Sequence, residues 1–259
     1  MTPWYSLENK TIWTVGGAGY LGSAVTEALD PLCQKSICID LGDRAAQLVR
    51  EKKLTNTIPL SCDVTDTDQL QAFVDRTIAQ HGVPDSVAYL VFASSKGKRL
   101  EELTKADFLH TFEQALPPAF LFCRALAERM KPRGHGSIVL FGSMYGQVSP
   151  DVRIYDEPMK PNPVDFGPSK AALMHLMRYF AVHYGPAGIR FNCVTPGPFP
   201  PPAVGESAPE FVEKLSRKTV LHRIGKNSEI VGPTLFLLTD SASFVTGHSL
   251  VVDGGWTIW

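Results

Sequence analysis

The sequence predicts an α/β fold, a doubly wound parallel sheet of about seven strands with helices on both faces, in one domain spanning residues 1–259. Three observations predict it. Short apolar runs alternate with helical patterns along the whole chain. The runs are apolar on both faces, as strands of a sheet covered from both sides must be. The length, 259 residues with 44% hydrophobic and 20% charged, suits a single domain with a full core.

The first strand is expected at 11–15, and the helix after it carries Leu21, Val25, Ala28 and Leu29 on one side. A short apolar strand at 36–40 ends in an acid and is followed by a polar helix at 43–53. The third strand falls at 57–62. A clear helix covers 66–80, with Leu70, Phe73, Val74 and Ile78 at helical spacing and Gly82 just past its end. A fourth, nearly all-apolar strand is expected at 86–92. Residues 104–130 form a long helical pattern interrupted by Pro117-Pro118. Proline removes a donor and clashes with the preceding turn, so a break or kink is expected near Ala115. A fifth strand at 137–141 precedes a helix at 167–184 with Leu173, Met177, Phe180 and Tyr184 on one face. A sixth strand lies at 190–194, helices at 209–218 and 228–238, and a last strand at 249–252. No internal repeat or linker divides the chain. Two proline-rich stretches, 158–163 and 196–202, follow predicted strand ends and read as stiff walls or lids over a site, where open α/β sheets bind ligands.

The bulk properties exclude several classes of function. A net charge of −1 without a dense Lys/Arg run argues against nucleic acid or an anionic membrane surface as partner. No apolar run reaches the roughly 18 residues of a membrane span. The first residues, Met1 to Ser6, lack the basic flank and apolar core of a secretion signal. Cys33, Cys38, Cys62, Cys123 and Cys193 are odd in number and form no C-x-x-C, as expected of buried free thiols in a reducing cytoplasm. The seven histidines are scattered, without a metal-binding spacing, so no metal site is expected.

The chemistry centres on Gly16-Gly17-Ala18-Gly19-Tyr20-Leu21-Gly22. Gly17, Gly19 and Gly22 fit G-x-G-x-x-G between a strand and a helix, the setting a dinucleotide-binding Rossmann turn requires. The glycines allow a tight turn and close approach of backbone to a pyrophosphate, and the helix N-terminus offers free N–H groups to it. Asp40 ends the second strand, 18 residues after Gly22. A carboxylate there accepts hydrogen bonds from a ribose 2′-hydroxyl and repels a 2′-phosphate, so NAD is favoured over NADP. Arg44 lies close enough in sequence to soften that preference.

Over nearly its whole length the chain resembles the short-chain dehydrogenase/reductase family. The resemblance rests on the glycine turn, Asp63-Val64, Gly142-Ser143, Lys170 in Pro-Ser-Lys-Ala-Ala-Leu, Asn192-Cys-Val-Thr-Pro-Gly197, and Val245-Thr-Gly-His-Ser-Leu-Val-Val-Asp-Gly-Gly255. It implies a single-domain nicotinamide-dependent oxidoreductase acting on a hydroxyl or keto group. Cofactor contacts are then implied at Gly16, Gly17, Gly19, Tyr20, Leu21, Gly22, Asp40, Asp63, Val64, Ala93, Lys170, Pro196 and Gly197. The family's catalytic residues are Asn, Ser, Tyr and Lys. Ser143 and Lys170 match, whereas the tyrosine position four before the lysine is Phe166 and the asparagine position is Ala115. The Asn-Asn-Ala-Gly segment reads Val91-Phe92-Ala93-Ser94, and the threonine expected after Pro-Gly is missing from 198–202.

Three explanations remain open. Phe166 is an introduced change; or another acid serves, with Tyr145 and Tyr155 as candidates; or the chain binds a nucleotide with impaired or no hydride chemistry. Ser143-Met-Tyr-Gly146, Arg153-Ile-Tyr-Asp156 and the terminal Asp253 to Trp259 resemble members that modify sugars for surface polysaccharide or flagellin glycosylation, which implies a phosphorylated or nucleotide-linked sugar as substrate. The apolar end, Trp256 to Trp259, and the helix at 167–184 imply a homodimer or homotetramer, with burial of the end within its own chain as the alternative.

Overall fold

The computed structural model describes residues 5–259 except 96 and 158; Pro158, first of its proline-rich stretch, and residues 1–4 lie outside the described residues. The chain runs β1 (Leu7–Val15), α1 (Tyr20–Leu29), β2 (Cys33–Asp40), α2 (Arg44–Lys52), β3 (Thr57–Ser61), α3 (Thr67–His81) and β4 (Ser86–Tyr89). It continues with α4 (Lys105–Met130), β5 (Gly136–Phe141), α5 (Phe166–Tyr184), β6 (Ile189–Pro196), α6 (Pro202–Ser207), α7 (Pro209–Arg217), α8 (Val231–Leu238) and β7 (Ser249–Val252). All seven strands join one parallel sheet in the order β3-β2-β1-β4-β5-β6-β7. The order reverses direction between β1 and β4, which opens a crevice beyond the carboxyl ends of these strands.

Alternation along each strand sends side chains to opposite faces of the sheet. Trp13, Val15, Ile37, Ile39, Val87 and Ile138 bury against Phe122, Leu126, Met130, Leu173 and Met177 of α4 and α5. Ile12, Ala88, Val139, Phe141 and Val194 face the other way, against Val25 and Leu29 of α1 and Leu237 and Leu238 of α8. Each fully buried large side chain contributes about 1.5–3 kcal/mol, so these two layers hold the sheet from both faces. Cys33, Cys38, Cys123 and Cys193 are buried free thiols, and Cys62 is half-buried.

Two expectations fail locally. The predicted break near Ala115 is absent: α4 runs unbroken through Pro117 and Pro118 over 26 residues. Pro118, Ala119, Phe122, Cys123, Leu126 and Met130 form one buried stripe, and its packing outweighs the roughly 3 kcal/mol local cost of proline in a helix. The fourth strand stops at Tyr89, three residues short of the predicted end, although the Leu90 N–H still donates to the Val15 carbonyl at 2.8 Å. The segment read as a wall after β6 also carries the short α6, which the prolines at its start permit.

The C-terminal turn folds inward. Trp256 is buried with Met144, Tyr145, Phe166 and Leu215, while Ile258 and Trp259 remain exposed. The Trp259 indole N–H donates to the Lys218 carbonyl at 3.1 Å. No described helix is long and apolar enough to cross a membrane.

Two glycines mark the crossing of α1 and the sheet. Gly16 has φ +73° beside the Leu90 backbone, and a Cβ on Gly22 would overlap the Gly16 carbonyl oxygen. Gly22→Ala is therefore expected to lower stability by about 1–3 kcal/mol, seen as a drop in denaturant midpoint. Gly232→Ala, in α8 with open space around it, is expected to leave the midpoint unchanged or raise it, since alanine is the better helix former.

Candidate active site

The turn between β1 and α1 is stitched to the end of β2. Gly16 and Gly17 donate N–H bonds to the Ile39 carbonyl at 2.8 and 3.3 Å. The Asp40 carboxylate, with its side chain only 4% exposed, accepts from the Ala18 N–H at 2.8 Å and the Leu41 N–H at 2.9 Å, and pairs with Arg44 at 3.1 Å. Gly19 caps α1 without a side-chain bond, and no acidic residue occupies the first turn. That helix end therefore presents its N–H groups outward, the arrangement that binds anions.

A cavity of about 830 Å³ runs from this turn along the carboxyl ends of the strands, within the roughly 300–1,000 Å³ range of small-molecule sites. Its walls bring together Gly16, Gly19, Tyr20, Leu21, Gly22, Asp40, Asp63, Val64, Ser143, Tyr145, Tyr155, Phe166, Lys170, Pro196 and Gly197. Two residues expected at the site stand elsewhere. Gly17 faces inward, where a Cβ would meet Thr14, Cys38 and Thr26. Ala93 is not on the wall; because β4 ends early, Leu90, Val91 and Phe92 line it instead. The proline-rich stretches do form walls, through Asn162 on one side and Pro198, Pro200 and Pro201 on the other.

At the far end, Ser143 begins a short 3₁₀ turn and its Oγ accepts the Tyr145 N–H at 3.1 Å, which leaves the serine O–H as a donor. Phe166 and Lys170 lie one helical turn apart at the start of α5. The Lys170 ammonium donates to the Phe141 carbonyl at 2.9 Å and reaches the Val91 carbonyl at 3.5 Å. It sits 5.9 Å from the ring centres of both Phe92 and Phe166, which are 5.2 Å from each other. Burial pushes the Lys170 ammonium down to about 8.

The hydroxyls of Tyr145 and Tyr155 meet at 3.3 Å. Burial raises the Tyr145 hydroxyl well above its ordinary value, and its bond to Tyr155 raises it further. Burial also raises Tyr155, but less, because its bonds to Tyr145 and the Asn162 backbone lower it. Either hydroxyl of the pair can donate to the other.

One element escaped sequence reasoning. Asp165, fully buried just before α5, accepts from the Ser95 N–H at 3.0 Å, the Ser95 hydroxyl at 2.7 Å and the Thr111 hydroxyl. Burial works against its charge, but these bonds outweigh it and hold the carboxyl below its usual range. The clamp ties the β4–α4 connection and α4 to the start of α5, and so fixes Phe166 and Lys170. No periodicity marks such a group; an aspartate just before an apolar helix reads only as a cap.

The buried ammonium has a measurable consequence. Its depressed value means the folded state holds fewer protons than the unfolded state between about pH 8 and the unperturbed lysine value near 10.4. The penalty is fully present below pH 8 and fades as pH rises above it. Lys170→Met deletes the charge, so its melting temperature relative to the parent protein is expected to be highest at pH 7 and to fall steadily from pH 8 to 10. A difference that does not change with pH would show that the ammonium is not buried as described.

A family model described as enoyl-(acyl carrier protein) reductase matches residues 21–257. The chain is 29% identical over 255 residues to a 2,5-dichloro-2,5-cyclohexadiene-1,4-diol dehydrogenase of Sphingobium indicum, covering 97% of this chain and 98% of that one. It is 28% identical over 244 residues to the cis-4-hydroxycyclohexanecarboxylate dehydrogenase of Sinomonas cyclohexanicum, with 93% and 94% covered. A short-chain dehydrogenase structure from Leptospira borgpetersenii with bound NAD+ superposes with a TM-score of 0.86 at 28% identity, covering 97% of this chain and 94% of that one. The seven-stranded sheet, the glycine turn and the matched span agree: the chain belongs to the short-chain dehydrogenase/reductase family.

Proposed function

We propose that this chain is an oxidoreductase that moves hydride between NAD and a hydroxyl or keto carbon of a small molecule, with Tyr155 exchanging the proton. The observation that carries this reading is the Tyr145–Tyr155 hydroxyl pair on the same cavity wall as Ser143 and Lys170. It supplies a protonated group where Phe166 has none.

The residues fit the cofactor. The uncapped N-terminus of α1 and the bare Gly22 make a cradle for a diphosphate. Asp40 would take the adenosine ribose, and Asp63 and Val64 would border the adenine. Arg44 is spent on Asp40, which leaves a 2′-phosphate facing a carboxylate. Lys170 has three donors and uses two on carbonyls, so one remains for the nicotinamide ribose. Pro196 and Gly197 would border the nicotinamide. The dinucleotide supplies or accepts the hydride when bound.

The chain's own part is orientation and proton transfer. Ser143 donates its O–H to the substrate oxygen. Tyr155 gives its proton to that oxygen as hydride reaches the carbon, and takes a proton back in the oxidising direction. Tyr145 donates to Tyr155 and steadies the tyrosinate. Both hydroxyls hold their protons at neutral pH, so carbonyl reduction should stay nearly constant from pH 6 to 7, below the range in which Lys170 loses its proton. Alcohol oxidation needs the deprotonated form and should climb between pH 6 and 7. Initial rates in both directions measure this.

A second reading has its own support. Phe166 packs on Phe92 over the lysine, where the family keeps a tyrosine, which favours a nucleotide-binding protein with impaired chemistry. Nicotinamide absorbance with a panel of ketones and secondary alcohols separates the two. Under the proposal, Tyr155→Phe lowers kcat by about 10²–10⁴ with KM little changed, and Phe166→Tyr is not needed for turnover. If the parent chain is inactive and Phe166→Tyr alone confers turnover, the impaired reading stands.

A further inference from the structure

This inference rests on the hydride-transfer reading above and concerns the class of substrate. Beyond Ser143 the cavity wall is built from Met144, Tyr155, Phe166, Phe199, Phe211 and Leu215. Their packing is continuous. The rings of Tyr155 and Phe211 lie 5.1 Å apart, those of Phe92 and Phe166 5.2 Å apart, and Met144, Phe166 and Leu215 share one apolar cluster with Trp256. The polar groups set into this wall are the hydroxyls of Ser143, Tyr145 and Tyr155, the Asn162 amide and the Lys170 ammonium. The first three serve one reacting oxygen.

Among the described residues, no wall group in this half answers a phosphate. Lys170 and Arg44 are the cations of the lining. Arg44 is at the opposite end, paired with Asp40. Lys170 is bonded to two carbonyls, and its remaining donor is assigned to the nicotinamide ribose. The cations on the segments that frame the opening are matched by acids: Lys214 with Asp156, Lys218 with Asp151 at 2.7 Å, and Lys160 with Glu102 at 3.0 Å. A dianion placed among these rings would lose its hydration without gaining a counter-charge, and a polyol would leave most of its hydroxyls unpaired.

We infer that the substrate is an uncharged, largely apolar ring compound carrying one reacting carbonyl or hydroxyl, and not the phosphorylated or nucleotide-linked sugar that the sequence resemblance implies. The rings of the wall cover its hydrophobic body, and the Ser143–Tyr155 side takes its single oxygen. Phe211 and Leu215, both on α7, select for this body, because Phe211 packs on the Tyr155 ring and Leu215 continues the same apolar wall.

The test separates cofactor from substrate. NAD binding is first titrated by quenching of intrinsic fluorescence. Saturation-transfer NMR on the NAD-loaded protein then compares menthone, cyclohexyl phosphate, a hexose phosphate and uridine diphosphate glucose. Menthone is expected to bind saturably and at least about tenfold more tightly than any charged probe. Phe211→Lys is expected to weaken menthone about tenfold or more while leaving NAD affinity unchanged. The inference is overturned if a phosphorylated probe binds more tightly than menthone, or if menthone shows no saturable binding. Failure of NAD to bind would overturn the hydride-transfer reading instead, whatever menthone does.

Discussion

The bond from the Ala18 N–H to the Asp40 carboxylate, with the paired bonds from Gly16 and Gly17 to Ile39, fixes the path of the chain at the one place where the sheet changes direction. Between β1 and β4 the backbone must leave the sheet, turn and enter α1 within a few residues. A wider turn would move α1 off the sheet, and with it the layer formed by Val25 and Leu29. A bulkier residue at Gly22 would push against the Gly16 carbonyl and do the same. The same constraint leaves the uncapped end of α1 and the Asp40 carboxylate on one wall of the cavity. Fold and cofactor site are thus one feature here: the turn that lets the sheet close is the surface a dinucleotide would lie on.

The other end of the cavity shows how much chemistry a fold tolerates while its scaffold stays intact. The Asp165 clamp holds the start of α5 in place with phenylalanine as the residue after it. With Phe166 there, its ring meets Phe92 beside Lys170, and the cavity wall at this end carries the hydroxyls of Ser143, Tyr145 and Tyr155 from the loop after β5. A proton donor carried on that loop can be supported by the second tyrosine, by Asn162 and by the buried C-terminal Trp256. In this account the loss of one hydroxyl on a helix is offset by a pair of hydroxyls on a loop.

Much of this was legible in the sequence. Strand and helix periodicity located the sheet, and all seven predicted strands pair in it. The glycine turn and Asp40 were placed by their position at strand ends, Asp63, Ser143 and Lys170 by the family resemblance, and all of these lie along one cavity wall except Gly17 and Ala18 of the turn. What was missed depends on contacts between distant segments. The prolines of α4 looked like a break because local propensity argues for one, while the stripe from Pro118 to Met130 that overrides it exists only against the sheet. Leu90 to Phe92, and not Ala93, line the wall, and β4 is three residues shorter than its apolar run. The Asp165 clamp joins positions 95, 111 and 165, and no spacing along the chain announces it. The convergence of Phe166, Phe199 and Phe211 on one cavity comes from three separate elements.

The central claim is that the groove beside Asp40 holds NAD and discriminates against a 2′-phosphate. Calorimetric titration of the full chain with NAD and with NADP tests it directly, with Asp40→Ala alongside. The account predicts that NAD binds at least about tenfold more tightly than NADP, and that Asp40→Ala narrows or removes the difference. Equal or tighter binding of NADP by the parent chain, or no binding of either dinucleotide, would contradict it.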